Sequence, residues 1–482
     1  MDLGRNWIRL AFNMLRRVLT PLTFSTLFKF LSLRRTIAGV LVAALSVMLV
    51  SPPALAQGKR TIIRDAEIEN IIRDYTTPLL EAAGLDPAQV RIRMIQDKSL
   101  NAFVAGGQNI YLHTGLLVES KGPNAVIGVI AHETGHIEGG HLSRTRAAIE
   151  DAAMIQMIGT LLGVVAAVGS NSPDVGSAVI MGSQGSGQGV FLNYSRTQES
   201  AADQAAMRLL DDTEQSARGL EGFLSQLGDQ EVLSPRYQDP YARTHPLSRE
   251  RINTLRAHIA NSPYSDVPPS ADKVLSHQIM VAKLYSYMEP FEYTMRKYPE
   301  TDLSFPARYA RAIAHYRKPD IKTALRLMDE LIVDQPRNPY LWEMKGQMLF
   351  EHGRSQEALE AYQRAHHLAP DEPLIVVALA RVELESGRPE LLDKAIEHFR
   401  TATRMGTDSA FVWQQLGIAY GRKGDIGMSS LALAEAELRR GQLANARFQA
   451  ERAASLLQEG SSAHLQALDL QEAIKVQRAR QK

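Results

Sequence analysis

Cysteine is absent from all 482 residues. Structural disulfides and thiolate metal ligands are therefore excluded, which leaves imidazole and carboxylate chemistry for any metal site. A strong charge of one sign is missing too. The chain holds 54 basic and 53 acidic residues, and beyond position 56 the balance becomes 47 to 52. That mild charge gives no support to nucleic-acid binding. Long apolar runs are scarce: Ile37 to Val50 and Met154 to Val168 both fall short of the roughly 20 residues that span a bilayer, and the second contains Gln156 and Thr160.

Against these absences stands His132-Glu133-Thr134-Gly135-His136. Residues four apart on a helix share a face, so both histidines can turn a ring nitrogen toward one metal ion. Glu133, one position after the first histidine, reaches a water on that ion and not the ion itself. There it acts as a general base while the water attacks a peptide carbonyl. The apolar run Val126 to Ala131 makes the motif the continuation of a core helix, and Gly139-Gly140 gives a turn after it, with helical continuation as the alternative. Downstream, Glu199 and Asp203 lie one helical turn apart. One carboxylate can complete the ligand set while the other accepts a hydrogen bond from a ligating imidazole. Glu199 is read as the ligand and Asp203 as the acceptor.

Val90 to Ile95 alternates as a strand, and Asn101 to Val104 with Ile110 to Leu112 form the arms of a pair around Gly106-Gly107. An exposed edge of such a sheet can bind an extended peptide through its main chain. The apolar segment at 154–168 reads as a core or membrane-facing helix, with a transmembrane segment as the alternative. The glycine-rich stretch at 169–189 reads as a loop over the cleft or as ordinary surface disorder.

At the amino terminus, Arg34-Arg35 precedes the apolar segment, and Ala54-Leu55-Ala56 precedes Gln57. This is the pattern of a secretory signal over residues 1–56. The long Leu/Phe-rich region before Arg34 keeps two alternatives, a start at Met14 or a retained anchor. The remaining 426 residues suffice for more than one core. Asn261-Ser262-Pro263-Tyr264 and Pro268-Pro269 mark a change of organisation, which divides them into 57–262 and a helical region, with a linker at its start, over 263–482. In that region Trp342, Gly346, Gly353, Ala358, Tyr362, Ala365 and Pro370 fit a paired-helix tetratricopeptide unit. Trp413, Gly417 and Gly424 repeat part of it 71 positions on, with Tyr420 between them, and Gly387 follows Gly353 by 34. A solenoid of such units recruits partners on its exposed faces. His366, His367 and His398 show no metal-ligand pattern and read as surface or packing residues.

Asn101-Ala102-Phe103 with Gly106-Gly107, Gly115-Leu116-Leu117, the His132 to His136 helix, Ser195 to Asp203, and His245-Pro246 followed by Arg251-Ile252 resemble the CAAX prenyl endopeptidase family of zinc metallopeptidases, in its secreted branch with tetratricopeptide repeats. The resemblance implies an α+β fold, a mainly helical gluzincin-type domain with a small sheet, followed by the all-α solenoid. It implies one zinc ion held by His132, His136 and Glu199, with Glu133 activating water. His245 corresponds to a histidine that approaches the metal as a further ligand and restrains the enzyme; packing at the domain junction is the alternative. Arg251 is assigned to charge stabilisation at the cleft, against a plain helix-surface arginine. The implied function is a periplasmic endopeptidase in outer-membrane protein assembly or quality control, soluble or peripherally membrane-associated. Its implied partners are unfolded or stalled barrel precursors and the barrel assembly machinery. A chaperone or assembly adaptor with a mainly structural metal is the competing class.

Overall fold

The computed structural model describes residues 61–142, 144, 181, 195–228, 241, 244–407 and 409–480. The expectations for 1–56, 154–168 and, Met181 apart, 169–189 lie outside the described residues. Residues 61–482 pack as one compact unit.

Strand β1 (Ile62–Ile63) and helix α1 (Ala66–Ala82) precede β2 (Arg91–Ile95), β3 (Ala102–Ala105) and β4 (Asn109–His113), which form one sheet in the order β1-β2-β4-β3. The expected strands are all present. β2 runs parallel to β4, with Ile92 opposite Ile110 and Met94 opposite Leu112. β3 and β4 form an antiparallel hairpin, closed where Gly106 and Gly107 take φ of +60° and +95°. Side chains rarely adopt that conformation, which is why glycine stands at both positions. This leaves β3 as a sheet edge.

Helix α2 (Thr114–Glu119) leads to the motif helix α3 (Pro123–Glu138), which ends at Gly139 with Gly140 at φ +61°, so the turn reading holds there. Helix α4 (195–212), α5 (Arg218–Gly228) and α6 (Arg249–Asn261) complete the sheet-bearing region. Its core gathers Ile72 and Leu79 of α1, Met94 and Leu112 of the sheet, Ile127 and Ile130 of α3, Leu210 of α4 and Leu224 of α5. α3 lies at the centre, and glycine lets its neighbours approach closely. A Cβ on Gly135 would lie 2.8 Å from the Ala202 carbonyl oxygen, and one on Gly128 would lie 2.7 Å from the Leu220 Cβ. The Gly135 contact sits between His132 and His136 on α3 and meets the turn of α4 that carries Glu199 and Asp203.

Twelve helices follow: α7 (Ala271–Met288), α8 (Phe291–Lys297), α9 (Phe305–Arg317), α10 (Ile321–Asp334), α11 (Pro339–Glu351), α12 (Ser355–Leu368), α13 (Pro373–Glu385), α14 (Pro389–Arg404), α15 (Ala410–Lys423), α16 (Ile426–Arg439), α17 (Leu443–Leu456) and α18 (Ser462–Arg480). From α9 they stack as hairpins, which is the expected solenoid. Gly353, Gly387 and Gly424 take positive φ at hairpin turns, and Gly346 meets the Tyr362 ring. Neither α1 nor α18 carries a repeat signature.

Helix α1 joins the two regions. Lys283 of α7 is 1% exposed, with Nζ 2.9 Å from Asp65 Oδ2 and 3.0 Å from Glu67 Oε2, and the Tyr309 hydroxyl of α9 donates to the same Glu67 oxygen at 2.9 Å. Ala66 packs with Ile375 of α13, and Asn70 donates to Glu372. The first turns of α1 therefore fill the surface offered by α7, α9 and α13.

The close approach of α3 to α4 predicts that Gly135→Ala destabilises the protein by about 1–3 kcal/mol, because the obstacle is backbone. Gly222→Ala on α5, where a Cβ meets nothing within 4 Å, should instead stabilise by up to about 1 kcal/mol through helix propensity. Urea unfolding midpoints of the two variants test the contrast.

Candidate metal centre

α3 places His132 and His136 on one face, α4 brings Glu199 and Asp203 against them, and the turn before α6 supplies His245. Among the described residues, His132, His136, Glu199 and His245 are the group whose ligand atoms all lie within 4.8 Å of one another. His132 Nε2 is 3.0 Å from His136 Nε2, 3.3 Å from His245 Nδ1 and 3.3 Å from Glu199 Oε2. Glu199 is 3.4 Å from His136 Nε2 and 3.2 Å from His245 Nδ1. Four donors bonded at about 2.0–2.1 Å to one tetrahedral ion stand roughly 3.3–3.4 Å apart. The five spacings given, 3.0 to 3.4 Å, lie near that figure, with Glu199 facing His132 through Oε2 and His136 through Oε1.

Hydrogen bonds on the far side of the rings set the direction of two lone pairs. Asp203 Oδ1 accepts from His132 Nδ1 at 2.9 Å, which leaves Nε2 as the free donor. A carbonyl can only accept, so His245 Nε2 donates to Ala102 O on β3 at 3.2 Å, and His245 Nδ1 presents its lone pair to the centre. His136 Nδ1 pairs with His141 Nδ1 at 2.9 Å. Arg251, on the first turn of α6 and 5% exposed, holds the carboxylates. Its Nε and Nη2 donate to Asp203 at 2.6 and 2.8 Å, and its Nη1 contacts Glu199 Oε2 and the Pro246 carbonyl, both at 2.9 Å.

Glu133 is fully buried, its two oxygens accept no hydrogen bond among the described residues, and Oε1 is 3.4 Å from His245 Nε2. Tyr241 lies one helical turn before His245 and stacks on its ring at 4.5 Å. The Tyr241 hydroxyl is buried without a partner among the described residues.

The electrostatics follow from burial. With neutral imidazoles, the carboxylates of Glu133, Glu199 and Asp203 face one guanidinium, an excess of two negative charges that a divalent cation balances. Burial pushes the Glu133 carboxyl up. Burial pushes Glu199 and Asp203 the same way, but His245 and His132 hold Glu199 well below the usual range, and the Arg251 and His132 hydrogen bonds hold Asp203 at about 2. Burial opposes charge on His132, yet the hydrogen bonds to Asp203 and Glu199 lift it to about 10. His245 rises because Glu199 and Glu133 outweigh its burial. Burial and the charge of His132 drive His136 down to about 2. A proton and a metal ion compete for the same ring nitrogens, so the field that raises His132 also favours a cation at the centre. The nitrogen and oxygen donor set, the spacing and the charge excess all fit zinc.

A family model described as peptidase family M48 matches residues 63–259. These residues, under half of the chain, are similar to that family of peptidases. A tetratricopeptide repeat model matches 309–373, which marks a protein-interaction region. The β-barrel assembly-enhancing protease of Escherichia coli is 22% identical over 424 residues, covering 82% of this chain and 84% of its own length. A Vibrio cholerae relative of that protease is 25% identical over 295 residues, and the match covers 59% of each chain. The metalloprotease YcaL of Escherichia coli is 28% identical over 177 residues, covering 36% of this chain and 63% of its own length. The resemblance to the CAAX prenyl endopeptidase family is corrected by these findings. The family model that matches is M48, and similarity runs to the assembly-enhancing proteases and not to a CAAX-type membrane prenyl protease; no described helix is long and apolar enough to cross a membrane.

Every residue singled out in the sequence for this chemistry lies in one cluster. His141 and Tyr241 were not singled out; the signal for Tyr241 is its four-residue spacing from His245, whereas a lone histidine after a glycine turn carries none.

Replacing Arg251 leaves two buried carboxylates without their cation. Arg251→Ala should cost about 3–5 kcal/mol in the urea midpoint. Arg208, whose pair with Glu138 is 44% and 35% exposed, should cost under about 1 kcal/mol when changed to alanine.

Proposed function

We propose that the chain is an exported zinc endopeptidase restrained at its own metal centre, acting in the assembly or quality control of outer-membrane β-barrel proteins. The observation that carries this reading is three imidazole nitrogens and the Glu199 carboxylate at tetrahedral spacing with the buried Glu133 alongside. His132, His136 and Glu199 hold one zinc ion, and His245 adds a displaceable fourth ligand. When bound, zinc polarises the scissile carbonyl and makes a water acidic enough to be deprotonated near neutral pH. Glu133 takes the proton from the attacking water and returns it to the departing amine, a task that suits a carboxylate whose pKa burial has raised. Asp203 fixes the His132 ring. Arg251 spends its donors on Asp203, Glu199 and Pro246, so it acts as a positioning residue for the centre and the His245 turn, and not on substrate.

The edge strand β3 offers main-chain groups to an extended peptide. His245 spans from the centre to Ala102 O on that edge, so it blocks the ligand position and the edge together. Movement of the His245 turn admits substrate. Residues 57–262 form the peptidase domain, 263–482 the partner-docking repeats, and 1–56 an export signal. The relatives named as β-barrel assembly-enhancing proteases support a role in barrel assembly, and in this reading misfolded or stalled barrel precursors are the substrates and the assembly machinery the partner. The location in this reading is the periplasm, soluble or peripherally associated with a membrane, which the secretory-signal pattern of residues 1–56 supports.

Zinc content and cleavage of an unfolded model protein, measured together, test this. Glu133→Gln should retain zinc and lose cleavage by about 10²–10⁴-fold. His245→Ala should cleave faster than wild type at equal zinc occupancy. Unchanged or slower cleavage by His245→Ala would remove the restraint from the account. Full barrel-assembly activity in Glu133→Gln would favour the adaptor reading.

A further inference from the structure

We propose that the groove bounded by α14, α15, α16 and α18 docks an acidic, extended segment of a partner protein, through carboxylate side chains set beside apolar ones. The proposal rests on the reading of the repeats as a docking surface and is independent of the peptidase chemistry.

The groove encloses about 350 Å³. Its floor is apolar, with Leu416, Tyr420 and Leu431 each under 10% exposed and Met428 beside them. Arg400 and Arg404 stand at its rim, and no residue lining it is acidic. Several arginines of the solenoid pair with carboxylates, among them Arg308 with Asp334, Arg381 with Glu385 and Arg447 with Glu451, while Arg311 and Arg422 donate to main-chain carbonyls. Arg400 has no partner among the described residues, and Arg404 donates to the Thr401 hydroxyl at 2.7 Å. Arg400 lies near enough for its charge to act on the Tyr420 phenol. The Trp413 indole N–H, also in the groove, has no acceptor among the described residues, whereas the equivalent group of Trp342 donates to Pro336 O at 3.1 Å.

Two rim guanidinium groups without a carboxylate partner, beside an indole N–H and above an apolar floor with no acidic lining residue, form a surface short of negative charge. A chain that supplies both carboxylates and apolar side chains complements it. Tryptophan, tyrosine and arginine together are also the residues that dominate binding energy at protein interfaces. The position agrees with how the rest of the solenoid is used. α1 already covers the surface of α7, α9 and α13 through Asp65, Glu67, Ala66 and Asn70. Repeats beyond α13 keep a groove that no part of the described peptidase region lines.

The test uses the full chain carrying Glu133→Gln, so that the probe is not cleaved. The probe is a fluorescent, C-terminally amidated dodecapeptide alternating Asp or Glu with Leu or Phe, read by anisotropy. Binding should weaken at least tenfold in the double variant Arg400→Glu, Arg404→Glu and stay unchanged in Arg447→Glu. A peptide with lysine in place of the acids should show the reverse preference, binding the double variant better than the parent. Equal binding of a Gln/Asn-substituted peptide, or equal binding by the double variant, overturns the proposal while leaving docking elsewhere on the repeats. Absence of binding by every peptide overturns it and removes support for peptide docking on the repeats altogether.

Discussion

Glu133, Glu199 and Asp203 are buried around a single guanidinium, that of Arg251, and the rest of the peptidase region is arranged about that imbalance. An unpaired buried carboxylate is expensive, so each must be held by a cation or by donated hydrogen bonds. Arg251 satisfies Asp203 completely and Glu199 in part. Asp203 in turn orients His132, and Pro246, bonded to the same guanidinium, ties in the turn that bears His245. The charge left over is the electrostatic basis of a divalent metal site. One arginine thus connects the Asp203 and Glu199 carboxylates, the His132 ring and the turn that carries His245.

Packing makes this arrangement rigid. Gly135 lets the backbone of α4 approach between the two motif histidines, and without that contact Glu199 would stand farther from both. The motif glycine is a steric requirement of the ligand set as much as of the helix. At the other end of the fold, Lys283 draws Asp65 and Glu67 into the repeats. A buried lysine shared by two acids is a specific joint, and it fixes the peptidase region against α7 and α9 in one register.

The clustering of His132, His136, Glu199 and Asp203 was legible because helical spacing of four converts directly into a shared face, and because Glu199 and Asp203 stand a turn apart on a second helix. The hairpin around Gly106-Gly107 and the repeat glycines were legible for a related reason, since positive φ leaves a residue-type signature. What was not legible depends on contacts across long stretches of chain. Lys283 meets Glu67 from 216 positions away, and nothing in an acidic helix start reveals that it will be buried against a solenoid. His141 and Tyr241 were equally silent, because their importance lies in touching His136 and His245. Arg251 was read as a cleft residue that stabilises charge or as a helix-surface arginine, and its burial and its contacts with Asp203, Glu199 and Pro246 depend on chain far from it in sequence.

The central claim is that His245 occupies a coordination position which it must vacate before substrate can bind. X-ray absorption at the zinc edge of the metal-loaded full chain measures this directly. The account predicts three imidazole nitrogens and one carboxylate oxygen at about 2.0–2.1 Å, falling to two imidazoles when a peptide hydroxamate is bound. Two imidazoles in the absence of inhibitor, with the remaining positions filled by oxygen, would contradict it.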